Sequence, residues 1–163
     1  MRIVAPHLDA EKEAERFTVR EVADTEGVVA IEGALRLLNV LPGGVWAIVT
    51  SAGRELAVAR LRRAGLPLPQ ILVSGDDVRQ GKPSPEPYLA GASRLGKPVE
   101  RCTVIEDAPA GIEAGRAAGM QVIGLTTTHS REELGCPIVV DRLSALRIQV
   151  GESADSRLVV QVE

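Results

Sequence analysis

Aromatic side chains are nearly missing from this sequence: Phe17, Trp46 and Tyr88 are the only three in 163 residues. The stacking platforms that grip single-stranded RNA or DNA cannot be built from so few rings. Any core must be packed from aliphatic side chains. A surplus of one charge is also missing, since 19 Lys and Arg face 22 Asp and Glu for a net charge of -3. No basic stretch is available to neutralise a phosphate backbone, so nucleic acid is excluded as the expected partner. No apolar run approaches the ~18 residues of a membrane span, and the opening MRIVAPHLDAEKEAER has no signal-peptide block. A cytoplasmic protein with no membrane partner is expected. Cysteine is scarce as well. Cys102 and Cys136 are far apart, with no CxxC and no histidine at ligand spacing, so they are expected to pack as small hydrophobes rather than to bind zinc or pair.

What is present is the composition of an ordinary folded domain, 45% hydrophobic and 25% charged, in a chain long enough for one core. From Trp46 onward an apolar run, a polar turn and an amphipathic stretch recur. Trp46–Thr50, Gln70–Ser74, Cys102–Glu106 and Gln121–Leu125 read as strands. Glu55–Ala64, Pro85–Leu95 and Ala110–Ala118 read as helices, closed by Gly65, Gly96 and Gly119. Ser130 and Glu133 form a capping box for a short helix that Pro137 ends. Ile138–Val140 reads as a last parallel strand, and Arg147–Val150 with Arg157–Val162 as an antiparallel hairpin. Near-continuous apolar strands favour a parallel sheet with helices on both faces, an α/β fold of the Rossmann-like kind. Ahead of Val45, Asp9–Arg16 and Gly33–Leu41 read as helices.

Ligands of such sheets bind beyond the C-terminal strand ends. After the first strand stand Thr50, Ser51, Ala52 and Gly53, whose hydroxyls and amides open a helix. They form an anion site, unless Ser51 is only an N-cap. After the second comes Asp76-Asp77 and then Lys82, fixed between Gly81 and Pro83 as a point charge suited to phosphate. The third ends in Glu106-Asp107, two carboxylates suited to a hard cation such as Mg²⁺, or an N-cap in the case of Asp107. His129 lies on the same edge.

In this order IVTSAG, GKPSPEPYL and VIEDAPAGIEAGRAAG resemble the second, third and fourth motifs of the haloacid dehalogenase superfamily, closest to its sugar phosphatases and beta-phosphoglucomutases. The resemblance runs from about Gly27 to Asp141. It implies an Mg²⁺-dependent hydrolase of small phosphorylated metabolites. Thr50, Ser51 and Ala52 would hold the phosphoryl group, Lys82 would neutralise it, and Glu106 and Asp107 would hold the metal. The family opens with a strand ending in DxDG, whose first Asp is the nucleophile. No DxDG occurs here. The sequence resembles a phosphatase core without that strand and without most of its cap, residues 1–26 being the remnant of cap helix and hinge and 27–163 the core. Asp24, in DTEGVV, is the one substitute nucleophile if Phe17–Val22 forms a strand before it, but only a short segment then separates it from Thr50. A core inactive alone is therefore expected, with a non-catalytic binding module or half of a split protein as the other reading. Since the missing strand belongs in mid-sheet, a homodimer, a substituted strand or a segment supplied in trans is expected rather than closure of the gap.

Overall fold

The structure is a computed structural model that describes residues 9–150 and 158–162. The first helix, α1 (Ala10–Ala23), carries the charged pairs Lys12–Asp9 and Arg16–Glu13 one turn apart. It runs beyond the expected end and takes in Phe17–Val22, which therefore form no strand. Phe17 and Val19 stand exposed on it, at 64% and 63%. Next come α2 (Ala34–Val40), β1 (Ile48–Val49), α3 (Arg54–Arg63), β2 (Leu72–Val73) and α4 (Glu86–Leu95). The chain continues through β3 (Thr103–Glu106), α5 (Pro109–Ala117), β4 (Gln121–Leu125), α6 (Arg131–Leu134) and β5 (Val139–Val140). The last pair, β6 (Leu146–Val150) and β7 (Leu158–Val162), form the expected antiparallel hairpin. Its turn lies outside the described residues.

Local chemistry accounts for the boundaries. Gly96 ends α4 in the left-handed region at φ 62°, where a Cβ would be strained. The Ser130–Glu133 capping box opens α6 with both reciprocal bonds, and Gly135 at φ 53° closes it, two residues before the Pro137 expected to do so.

The parallel sheet is interrupted. One piece pairs β1 with β2, the other runs β3-β4-β5, and among the described residues no ladder bond joins β1 to β3. The gap neither closes nor receives Phe17–Val22. Side-chain alternation shows how the core is divided. Val104 joins Tyr88, Ala92 and Ala114 under α4 and α5. Its neighbour Ile105 joins Leu37, Ile123 and Val140 under α2 and the hairpin, where Ile148 and Val160 also pack. Helices α4 and α5 thus cover one face, α2 and β6-β7 the other. The C-terminal ends of β1 and β3 meet at one edge.

Candidate functional site

At that edge a buried carboxylate organises its neighbours. Glu106, the last residue of β3, has an 8% exposed side chain, and both its oxygens are engaged. Oε1 accepts from the Tyr88 hydroxyl at 2.5 Å and from the Lys82 ammonium. Oε2 accepts from the amides of Asp107 at 3.1 Å and Ala108 at 3.3 Å. Four donors converge on its two oxygens, two on each. Lys82 is 13% exposed, donates also to the Val49 carbonyl at 3.3 Å, and lies 5.0 Å from the centroid of the Tyr88 ring. Its charge is thereby held between β1 and β3 by a carboxylate, a carbonyl and an aromatic face. Burial, and after it the adjacent Glu106, push the Tyr88 phenol far above its usual range.

Two of these contacts leave traces in the sequence that motif reading passed over. Tyr88 is the only tyrosine, set in the helix that follows Lys82. Gly111 sits inside α5, where glycine ordinarily costs about 1 kcal/mol. A Cβ there would stand 2.1 Å from the Glu106 Cδ, so only glycine lets α5 approach the carboxylate.

Asp107 faces the loop after β4. Its Oδ2 accepts from the Thr127 hydroxyl at 2.7 Å, and its carbonyl accepts from the Thr128 hydroxyl at 2.7 Å with His129 Nδ1 3.0 Å away. His129 therefore lies on the functional edge, its Nδ1 between the Asp107 carbonyl and the Thr128 hydroxyl, 2.9 Å away.

The anion site expected after β1 is partly used up by the protein itself. The Ala52 amide donates to Thr50 Oγ1 at 3.1 Å, and the Arg54 amide, first in α3, donates to Asp76 Oδ2 at 2.7 Å. A carboxylate thus occupies the position at this helix end that the sequence suggested for a ligand. The neighbouring Asp77 is structural as well. It completes a capping box with Ser74 and pairs with Arg54 at 2.8 Å and Arg94 at 3.1 Å, and these bonds hold its carboxyl well below the usual range. The Ser51 side chain remains exposed at the edge. Glu86 fastens the loop before Lys82 by accepting from the Arg79 and Gln80 amides.

Lys82, Glu106 and Asp107 are thus brought to one edge with Thr50, Ser51 and Ala52. Asp24 is placed elsewhere. It follows α1, accepts from the Glu26 amide at 3.3 Å, and lies three residues after Glu21, which pairs with Arg60 in the last turn of α3. The Mg²⁺ implied by the resemblance needs an oxygen shell, and the residues present do not complete one. Among the described residues no three His, Cys, Asp or Glu side chains converge, and Glu106 has no oxygen to spare. Asp107 is the carboxylate in this cluster with an oxygen, Oδ1, outside the bonds described.

Comparison with known proteins places these elements. A family model described as haloacid dehalogenase-like hydrolase matches residues 3–119. Glycerol-1-phosphate phosphohydrolase 2 of Saccharomyces cerevisiae is 40% identical over 136 residues, covering 76% of this chain and 54% of the yeast protein. Hexitol phosphatase A of Escherichia coli is 45% identical over 119 residues, 72% of this chain and 55% of that protein. The crystal structure of CbbY from Rhodobacter sphaeroides in complex with phosphate superposes with a TM-score of 0.74 at 26% identity, covering 86% of this chain and 66% of that one. The chain spans about half the length of the curated relatives it matches. Among the described residues no helix is long and apolar enough to cross a membrane.

Proposed function

The chain belongs to the haloacid dehalogenase-like hydrolases, and on that premise we propose that it carries the phosphate-holding part of a phosphatase for small phosphorylated metabolites, without turnover of its own. The observation that carries this reading is the Lys82 ammonium, held by Glu106, the Val49 carbonyl and the Tyr88 ring at the edge where Ser51 and Asp107 also stand. Phosphoryl transfer rests on positioning and charge neutralisation, and a fixed buried ammonium supplies both. The Ser51 hydroxyl would donate to a second phosphoryl oxygen.

Two features argue against turnover by this chain alone. The sequence contains no DxDG, and the Glu106 carboxylate is saturated by donors, which removes it as a nucleophile. The local charge is also unfavourable, because one ammonium faces the Glu106 and Asp107 carboxylates, so a phosphate dianion meets a slightly negative edge. Weak phosphate binding follows. The same features support the second reading, a binding module or half of a split protein.

The test has two arms. With 4-nitrophenyl phosphate and Mg²⁺, the chain is expected to hydrolyse no faster than its Asp107→Asn variant. Robust turnover abolished by Asp24→Asn would overturn this and make Asp24 the nucleophile. In the second arm, inorganic phosphate titrated by NMR should bind in the millimolar range and move the Ser51 and Lys82 signals, with binding lost in Lys82→Met. Equal binding by that variant would remove the phosphate-holding role.

A further inference from the structure

One atom distinguishes tyrosine from phenylalanine at position 88. The ring lies in the core under α4 and α5 with Ala92, Val104, Ala114, Ala118 and Met120, all apolar, and phenylalanine would fill that place equally. The hydroxyl is what phenylalanine lacks, and it donates to Glu106 Oε1, the same oxygen that the Lys82 ammonium binds. Resting on the reading of Lys82 as the phosphate-holding group, we propose that Tyr88 is a positioning residue whose hydroxyl shares the Glu106 oxygen with Lys82 and so sets how much of the ammonium's charge is left for a phosphoryl group.

The ammonium has three N–H groups. One goes to Glu106 and one to the Val49 carbonyl at 3.3 Å, and among the described residues the third has no partner. That third N–H is the one an anion can take. How strongly it is offered depends on the grip of Glu106, because opposite charges in contact cancel much of each other's field. A second donor on the same oxygen takes up part of its negative charge, which loosens that grip. Tyr88 does this without competition from water, being 7% exposed with its hydroxyl 2.5 Å from Oε1.

The carboxylate cannot evade the hydroxyl by turning. Its Oε2 is fixed by the Asp107 and Ala108 amides, and Gly111 lets α5 close over its carboxyl carbon. The ammonium is confined as well, with the Tyr88 ring centroid 5.0 Å from Nζ. Glu86, at the start of α4, accepts from the Arg79 and Gln80 amides just ahead of Lys82, so one fastened segment carries both the ammonium and the hydroxyl. The ring fixes where the ammonium sits, and the hydroxyl sets what it offers. With one ammonium against the Glu106 and Asp107 carboxylates, this edge has little positive charge to spare, and the hydroxyl's share becomes measurable.

Because Tyr88 is the only tyrosine, supplying 3-fluorotyrosine during expression alters this position alone. Fluorine beside the hydroxyl makes it a stronger donor with almost no change of shape, whereas Tyr88→Phe removes the donor and keeps the ring. Inorganic phosphate is titrated by NMR at pH 7 without added metal into the full chain, its fluorotyrosine form and the Tyr88→Phe variant. The signals followed are the Ser51 amide and the Lys82 ε-methylene protons, which the ring shifts upfield. Tyr88→Phe is expected to bind phosphate about fivefold more weakly, the size of one ordinary hydrogen bond, and the fluorotyrosine form roughly twofold more tightly. The upfield shift should persist in all three, since the ring is retained. A residue needed only for packing would not rank binding by donor strength. Equal affinity of the three proteins, or tighter binding by Tyr88→Phe, overturns the proposal, while the phosphate-holding reading stands as long as binding depends on Lys82. Where Tyr88→Phe does not fold, the fluorotyrosine form decides by itself, and binding equal to that of the unmodified chain overturns the proposal. Phosphate binding that is absent from the unmodified chain, or that survives Lys82→Met, removes the phosphate-holding reading and this proposal with it.

Discussion

Replacing Glu106 by Gln changes one atom and should cost about 3–5 kcal/mol. The isostere keeps the shape but presents an oxygen on one side and an NH2 on the other. Whichever way the amide is turned, the NH2 meets groups that only donate, either the Lys82 ammonium, with the Tyr88 hydroxyl forced to give up its own bond, or the Asp107 and Ala108 amides. Two donors lose their acceptor, at about 1–3 kcal/mol each when buried, and Lys82 is left as an uncompensated charge that is only 13% exposed. Breaking a buried pair from one side typically costs about 3–5 kcal/mol, an inclusive figure that already covers those lost bonds. Against a total stability of about 5–15 kcal/mol this is a large share. At ~2–4 °C per kcal/mol for a chain of this size, the midpoint of thermal unfolding should fall by roughly 6–20 °C. Urea denaturation with an unchanged m-value provides the independent measurement. The double variant Glu106→Gln with Lys82→Met should recover much of the loss, because no buried charge then lacks a partner. A Glu106→Gln cost below 1 kcal/mol, or a double variant less stable than the single one, would refute the four-donor account.

Tyr88, the only tyrosine, should show no tyrosinate absorbance near 295 nm until the protein unfolds at high pH. Its folded pKa is raised, so the unfolded chain gives up this proton first as pH climbs past the usual 10. The contribution to stability is complete below that value and is lost above it. A reversible step near pH 10 in the folded protein would contradict the burial of its hydroxyl against Glu106. Mg²⁺ binding by calorimetry should be weaker than about 10 μM, because Asp107 alone leaves the shell to water; a tighter site abolished by Asp107→Asn would show that further ligands assemble around it.

The periodic elements were legible because their causes are local. Each rests on an apolar run, a cap or a glycine stop, as in α4 with Gly96 and α6 with Ser130 and Glu133. Phe17–Val22 misled because alternation over six residues is compatible with a strand, whereas helix α1 began in the charged segment upstream and simply continued. The motif residues Lys82, Glu106 and Asp107 were found by position after each apolar run. Tyr88, Thr127 and Thr128 were not, because each reaches the site from a different part of the chain.

The order of strands and helices, the edge at which their polar ends gather, and the resemblance those ends bear to a hydrolase family can all be read along the chain. Periodicity, capping and turn chemistry act over a few residues and can be read one after another. How those polar groups are shared is settled by packing in three dimensions. It gave the α3 N-terminus to Asp76, saturated Glu106 with four donors, and among the described residues paired β1 with β2 and β3 with β4 rather than with each other. Hydrogen-bond capacity is finite, and which partner claims each donor depends on packing between segments distant in the chain.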